Sequence, residues 1–187
     1  MKQRIIIISS SRADYGILKN LIYKMQIDKS FDMKFVVTGS HLDTKYGNTL
    51  KYICKDKIKI DKKIKIKLGK TTKKNISKNL SEYVSKFSNY FHNIKPNAIL
   101  ILGDRYEMLA TAIVANIHNI PIVHLHGGEI TEGSYDDQNR HAITKLSYIH
   151  FVSTLNAKKR VIQMGENKNN VFHIGSLGVE NLINYKK

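Results

Sequence analysis

Ile99-Leu100-Ile101-Leu102-Gly103-Asp104-Arg105-Tyr106-Glu107 is the stretch whose reading decides the fold. An unbroken apolar run stops at a glycine followed by a charged pair, and an alanine-rich helical pattern then takes over from Tyr106 to Ile117. A short run with no polar alternation is what a parallel strand needs when helices cover both faces of its sheet. The same phrase recurs at once. Ile120-Pro121-Ile122-Val123-His124-Leu125 runs into His126-Gly127-Gly128-Glu129, and a polar loop leads to Tyr135-Asp136-Asp137-Gln138-Asn139-Arg140-His141. Asp104, Glu129, Asp136 and Asp137, with Arg105, Arg140, His126 and His141, therefore fall at or beyond the carboxyl ends of expected strands. In open α/β sheets that edge is where ligands bind.

Working outward, the pattern repeats. Residues 4–9 form an apolar strand, and Ser9 to Gly16 is a turn into a helix with Ile17, Leu18, Leu21, Ile22 and Met25 on one face. A second strand is expected at Lys34–Thr38, ending in Gly39-Ser40-His41-Leu42, with a short helix from Tyr46 to Cys54. Residues 57–68 alternate lysine with isoleucine. That period of two predicts one or two edge strands with a solvated face, and the charged 57–74 segment has the composition of a mobile flap. Residues 74–92 form a long helix with Ile76, Leu80, Val84, Phe87 and Phe91 as its apolar stripe, closed by Lys95-Pro96-Asn97. Beyond Arg140 the expected elements are a helix over Gln138–Ser147, a strand over Ile149–Ser153, a helix over Leu155–Met164 and a strand over Val171–Ile174. Strand and helix alternate throughout, so the chain reads as one Rossmann-like domain over 1–187: α/β, with a doubly wound, mostly parallel sheet.

Composition sets bounds. The chain has 187 residues, 42% of them hydrophobic, enough for one sizeable core. The run after Met1-Lys2-Gln3-Arg4 is too short for a signal peptide, and no run reaches membrane-span length, so neither a leader nor a membrane partner is expected. A single cysteine, Cys54, excludes an intramolecular disulfide and fits a cytoplasmic setting; nothing around it activates the thiol. The net charge of +16 is concentrated in lysine between Lys45 and Lys95. Without interleaved aromatics or a zinc-finger pattern it reads as a solvated surface rather than a nucleic-acid site.

The chemistry follows from the strand ends. Several carboxylates converging on one cleft can have their proton affinities pushed apart, one acting as base and another as acid. Gly127-Gly128 lets backbone approach a ligand, and Arg12 offers a planar fork to phosphate oxygens. The plainer alternatives are a surface salt bridge for Arg12, an N-cap for Asp136 paired with Arg140, and a hydrogen-bonded strand histidine at His124. There is no Gly-x-Gly-x-x-Gly, Walker, Gly-x-Ser-x-Gly or His-Glu-x-x-His pattern, so no dinucleotide, P-loop nucleotide, serine nucleophile or metal is indicated.

Taken together, Ser11-Arg12-Ala13-Asp14-Tyr15-Gly16, Thr38-Gly39-Ser40-His41-Leu42, Gly103-Asp104-Arg105-Tyr106-Glu107, His126-Gly127-Gly128-Glu129, Arg140-His141-Ala142-Ile143-Thr144-Lys145 and Gly175-Ser176-Leu177-Gly178 resemble, in order, the hydrolysing UDP-N-acetylglucosamine 2-epimerase family, in its sialic- and legionaminic-acid branch. The resemblance implies the N-terminal half of a glycosyltransferase-B-like fold, with a second Rossmann-type half closing the cleft. It implies a UDP-sugar substrate, eliminated to a glycal and then hydrated to a free 2-epimer such as N-acetylmannosamine, with no cofactor and no metal. Asp104, Glu129, Asp136, Asp137 and His141 are the implied catalytic set. Arg12, Tyr15, Gly16, His41, Arg105, His126, Gly127, Gly128 and Arg140 are the implied substrate contacts. The missing C-terminal domain would supply most of the uridine and diphosphate contacts, so the isolated chain is expected to be inactive and the full-length protein to be a homo-oligomer. The alternative is a non-catalytic UDP-sugar-binding or assembly half of a split enzyme.

Overall fold

A computed structural model describes residues 2–47 and 49–185. Seven strands, β1 (Gln3–Ser9), β2 (Phe31–Val37), β3 (Lys62–Lys63), β4 (Ala98–Leu102), β5 (Ile122–Leu125), β6 (Ile149–Val152) and β7 (Val171–His173), form one sheet in the order β3-β2-β1-β4-β5-β6-β7. Every pairing is parallel. Among the described residues seven α-helices flank the sheet: α1 (Arg12–Ile27), α2 (Leu50–Lys55), α3 (Lys73–Ile94), α4 (Tyr106–Ile117), α5 (Asp136–Leu146), α6 (Leu155–Gln163) and, after the last strand, α7 (Leu177–Tyr185). The expected doubly wound α/β sheet is the observed one.

Strand residues alternate between two cores. Ile6, Ile8, Val36, Ile99 and Ile101 pack with Phe87, Phe91 and Met108 of α3 and α4. Ile7, Phe35, Val37, Leu100 and Leu102 pack with Tyr15, Leu18 and Ile22 of α1 and Ile53 of α2. That two-sided burial is why these runs lack polar alternation. Strand order reverses between β1 and β4, so the turns leaving them diverge and open a crevice at the carboxyl edge.

Two local readings change, and one element is added. Within 57–68 only Lys62–Lys63 joins the ladder, although the alternation correctly divides buried Ile64, Ile66 and Leu68 from exposed Lys63, Lys65 and Lys67. The expected helix from Tyr46 to Cys54 is split. The 3-10 turns Gly39–Leu42 and Thr44–Tyr46 end at Gly47, whose φ of 80° breaks the helical path, and α2 starts only at Leu50. Asn48, inside that expected helix, lies outside the described residues, as do Met1, Lys186 and Lys187. Finally, α7 follows the Gly175-Ser176 turn and lies along α1, where Asn181 Nδ2 donates to the carbonyls of Gly16 at 2.8 Å and Ile17 at 3.0 Å. No helix among the described residues is long and apolar enough to cross a membrane.

Candidate active site

The site is built from the turns that leave β1, β4, β5 and β6. After β1 the chain must enter α1 within two residues, and a capping box makes that turn. Asp14 N donates to Ser11 Oγ at 3.3 Å, while Asp14 Oδ2 accepts from the backbone N–H groups of Ser10 and Ser11, both at 3.0 Å. Asp14, carried by the Ser-Arg-Ala-Asp motif, therefore fixes the turn. After β4, Gly103 (φ 77°) swings the chain so that Asp104 and Arg105 stand at the strand end before α4 begins. After β5, His126 (φ 62°) and Gly128 (φ 74°) fold the backbone tightly. A Cβ on Gly128 would sit 2.5 Å from the Ala157 carbonyl oxygen and 2.6 Å from Val161 Cγ2. Gly128 is thus required by close packing against α6, and Gly127 by His124 and Thr144, whose Nδ1 and Oγ1 a Cβ there would meet at 2.9 and 3.0 Å.

Arg140, on the second turn of α5, ties these ends together. Its guanidinium pairs with Asp104 Oδ2 through Nη2 and with Glu129 Oε2 through Nη1 at 3.0 Å, and donates to Thr131 Oγ1 at 3.0 Å and the His126 carbonyl at 3.3 Å. The side chain is only 8% exposed. A buried guanidinium holding two carboxylates from successive strand ends is a charge arrangement with little slack, since each anion's desolvation is offset by one shared cation. Burial nevertheless lifts the Asp104 carboxyl above its ordinary value, outweighing the pull of Arg140. Glu129 is held on its other oxygen by Ser153 Oγ, at the end of β6, and its Oε1 lies 3.5 Å from His126 Nδ1. Burial lowers the His126 pKa, against the opposing attraction of Glu129.

Asp136 and Asp137 occupy the first turn of α5. Asp136 Oδ2 accepts from Ser134 Oγ at 2.9 Å; Asp137 Oδ1 accepts from the Thr131 N–H at 3.0 Å, and its Oδ2 lies 3.7 Å from His141 Nε2. Neither aspartate is the N-cap, which is Tyr135, and Arg140 pairs across to the strand ends rather than with Asp136. His124 is the hydrogen-bonded strand histidine of the plainer reading. Its Nε2 contacts the Gly103 carbonyl at 2.8 Å and its Nδ1 contacts Thr144 Oγ1 at 3.2 Å, and burial depresses its pKa to about 3.

The structure thus gathers Asp104, Glu129, His126 and Arg140 into one network, with Asp136, Asp137 and His141 beside it. The other expected contacts stand at neighbouring turns with partners of their own. Arg12 is exposed at the start of α1, its guanidinium 4.9 Å from the centre of the Tyr52 ring. Tyr15 is buried in the core and its hydroxyl donates to Asp56 Oδ2 at 2.7 Å, while Gly16 is an exposed helical residue. His41 is buried between Ser9 Oγ at 2.9 Å and Thr49 Oγ1 at 2.8 Å, with its pKa lowered to about 4 by burial. Arg105 pairs with Glu107 at 3.0 Å. Ser153, Thr131 and Glu107 escaped the sequence reading. Ser153 was findable, because it ends a strand as Gly103 and His126 do; the roles of Thr131 and Glu107 depend on contacts that no local pattern announces. Among the described residues, no group of three or more His, Cys, Asp or Glu is placed to hold a metal ion.

The chain is similar to known proteins in sequence and fold. Residues 23–187 match the profile of a family described as UDP-N-acetylglucosamine 2-epimerase. A Campylobacter jejuni protein named GDP/UDP-N,N'-diacetylbacillosamine 2-epimerase (hydrolyzing) is 46% identical over 94% of this chain and 46% of its own length. Polysialic acid biosynthesis protein P7 of Escherichia coli is 42% identical over 97% of this chain and 46% of its own. The chain spans about half the length of the curated relatives it matches. The crystal structure of a Neisseria meningitidis UDP-GlcNAc 2-epimerase bound to UDP-GlcNAc superposes with a TM-score of 0.86 at 19% identity, over 97% of this chain and 48% of that one, a likeness of fold.

Proposed function

Since this chain belongs to the UDP-N-acetylglucosamine 2-epimerase family, we propose that it supplies the carboxylate-bearing half of a hydrolysing UDP-sugar 2-epimerase. The substrate is UDP-N-acetylglucosamine or its diacetamido-trideoxy counterpart, UDP-N,N'-diacetylbacillosamine. The observation that carries the proposal is the Arg140 guanidinium bridging Asp104 and Glu129 at the crevice. Asp104, rigid at a strand end and raised in proton affinity by burial, is suited to take the C2 proton. The C2–H electron pair forms the C1=C2 bond, the C1–O bond breaks, and UDP leaves with the electrons. Water then adds its oxygen at C1, and C2 is reprotonated from the opposite face to give the free 2-epimer. Glu129, hydrogen-bonded to Ser153 and near His126, is placed for the second proton transfer, and Asp136, Asp137 and His141 border the sugar. Arg140 holds the two carboxylates rather than the substrate. Exposed Arg12, on the first turn of α1, is free to reach the diphosphate.

A second Rossmann-type half closes the crevice from the opposite side in this reading, and self-association of the full-length protein and a cytoplasmic setting with a reduced Cys54 belong to it. The test is UDP release, assayed with both UDP-sugars, by the protein at the full length of its relatives and by this chain alone. Turnover only at full length, lost in Asp104→Asn, supports the proposal. Binding of UDP-sugars without any release favours the non-catalytic half instead.

A further inference from the structure

Gly103 is a loose joint in the site. Its φ of 77° turns the chain out of β4, and nothing lies within 4 Å of where a Cβ would stand. Yet the next residue is Asp104, and a side chain that moves a proton tolerates little error in its place. Hydrogen bonds to β5 hold the joint. The Gly103 N–H donates to the Leu125 carbonyl at 3.1 Å, and the Gly103 carbonyl lies 2.8 Å from His124 Nε2. That carbonyl belongs to the peptide bond leading into Asp104, so His124 fixes the plane from which the aspartate springs. A carbonyl only accepts. Nε2 therefore carries the ring proton, and a neutral ring then has Nδ1 as an acceptor. The donor facing it is Thr144 Oγ1, at 3.2 Å. This hydroxyl also lies 3.0 Å from the Arg140 carbonyl, which inside α5 already accepts from the backbone N–H four residues on.

Thr144 stands one turn beyond Arg140 on the same helix. His124 thus joins three carriers of the network: the turn that presents Asp104, the strand that runs into His126 and Glu129, and the helix that bears Arg140. Gly127 leaves the room for this contact, since a Cβ there would meet both the ring and the hydroxyl. His124 and Thr144 are each 0% exposed. A buried polar pair adds little net stability over an apolar pair of the same shape, but its hydrogen bonds admit one arrangement of the groups they join. We infer that His124 and Thr144 are positioning residues, which set Asp104 and Arg140 in register through a single imidazole tautomer. The inference rests on the epimerase reading for the proton that Asp104 moves, whereas the register of Asp104 and Arg140 rests on the hydrogen bonds alone.

Two variants of Thr144 test it. Thr144→Val keeps the shape and removes the hydroxyl; Thr144→Ser keeps the hydroxyl. In the protein at the full length of its relatives, Thr144→Val lowers kcat for UDP release by about tenfold or more with KM within about twofold, and Thr144→Ser restores most of the rate. In the 187-residue chain, carbon-13 NMR follows the Asp104 carboxyl through its titration. The midpoint moves up by about half a pH unit or more in Thr144→Val, because Arg140 is no longer held against the carboxylate while burial remains, and it returns in Thr144→Ser. Should Thr144→Val fail to fold by circular dichroism, Gly127→Ala, which wedges a methyl between ring and hydroxyl, shows the same loss and the same shift. An unmoved Asp104 midpoint in a folded variant, a loss of kcat that serine does not restore, or a rise in KM with kcat unchanged overturns the inference. The two readings fail separately. If the native full-length protein releases no UDP but the Asp104 midpoint moves as stated, the epimerase reaction falls and the positioning stands. If UDP is released and the variants leave kcat and the midpoint unchanged, the positioning falls.

Discussion

Replacing Arg140 by methionine removes the cation at the centre of the site while filling most of its volume. In the native fold this guanidinium is 8% exposed, pairs with Asp104 and Glu129, and donates to Thr131 and the His126 carbonyl. Removing one partner of a buried ion pair costs about 3–5 kcal/mol, because the opposite charge stays buried without compensation. Here two carboxylates are left facing one another, so Arg140→Met should lose about 3–5 kcal/mol at pH 7.5. The sign of the pH dependence identifies the cause. Burial already lifts Asp104 above its ordinary value of 3.8, so this group holds its proton more tightly folded than unfolded. Its contribution to stability is present at low pH and is lost as pH rises through the folded pKa. Without Arg140 that lift grows, and acidification relieves the mutant more than the native protein, by at most about 1.4 kcal/mol per pH unit for each proton bound. Urea unfolding followed by circular dichroism at pH 7.5 and 5.5 measures the difference, with an unchanged m-value as the check on two-state behaviour. Arg140→Lys, which keeps the charge but not the fork, should lose less and show a weaker pH dependence. A methionine variant that loses under about 1 kcal/mol, or the same amount at both pH values, would refute the account of Arg140 as the clamp on two partly buried anions.

Two further outcomes follow from the same contacts. Gly128→Ala should destabilise by at least about 2 kcal/mol, since it adds a Cβ against the Ala157 carbonyl at a positive φ, whereas Gly103→Ala, with φ 77° but nothing within 4 Å, should cost only about 1 kcal/mol; thermal melts of the pair separate steric from conformational cost. His41 and His124 have pKa values lowered to about 4 and about 3, so each is held neutral in the fold and supports it above pH 6.5. That support is lost as pH falls below 6.5, by roughly 3 kcal/mol for each histidine at pH 4, and it should appear as proton uptake on unfolding in calorimetry across that interval.

The sheet and its crossovers were legible because parallel strands buried on both faces leave unbroken apolar runs, as at Ile99–Leu102. The site was partly legible for a related reason: those runs end at Asp104, His126 and Glu129, where the fold puts ligands. What the sequence did not carry is pairing across elements. Arg140 lies on α5, thirty-six positions from Asp104, and its motif is compatible with touching substrate as well as with clamping carboxylates. Tyr15 and His41 sit in motifs beside the crevice, yet their hydroxyl and ring nitrogens point to Asp56, Ser9 and Thr49. The 57–68 segment displayed its buried face through period two, but how much of it joins the ladder depends on the edge strand it meets. Glu107 stands in the Gly103-to-Glu107 motif but drew no role of its own, since a glutamate in the first turn of a helix is ordinary on dipole grounds and only the fold buries it.

The central claim is that Asp104, held beside Glu129 by Arg140, removes the C2 proton of a UDP-sugar. Proton NMR of UDP-N-acetylglucosamine in deuterium oxide, with the protein at the full length of its relatives, tests it directly. The account predicts release of UDP together with deuterium at C2 of the free 2-epimer, and loss of both by about a hundredfold or more in a folded Asp104→Asn variant. Release of UDP at an undiminished rate by that variant, or a product that keeps its original C2 proton, would contradict it.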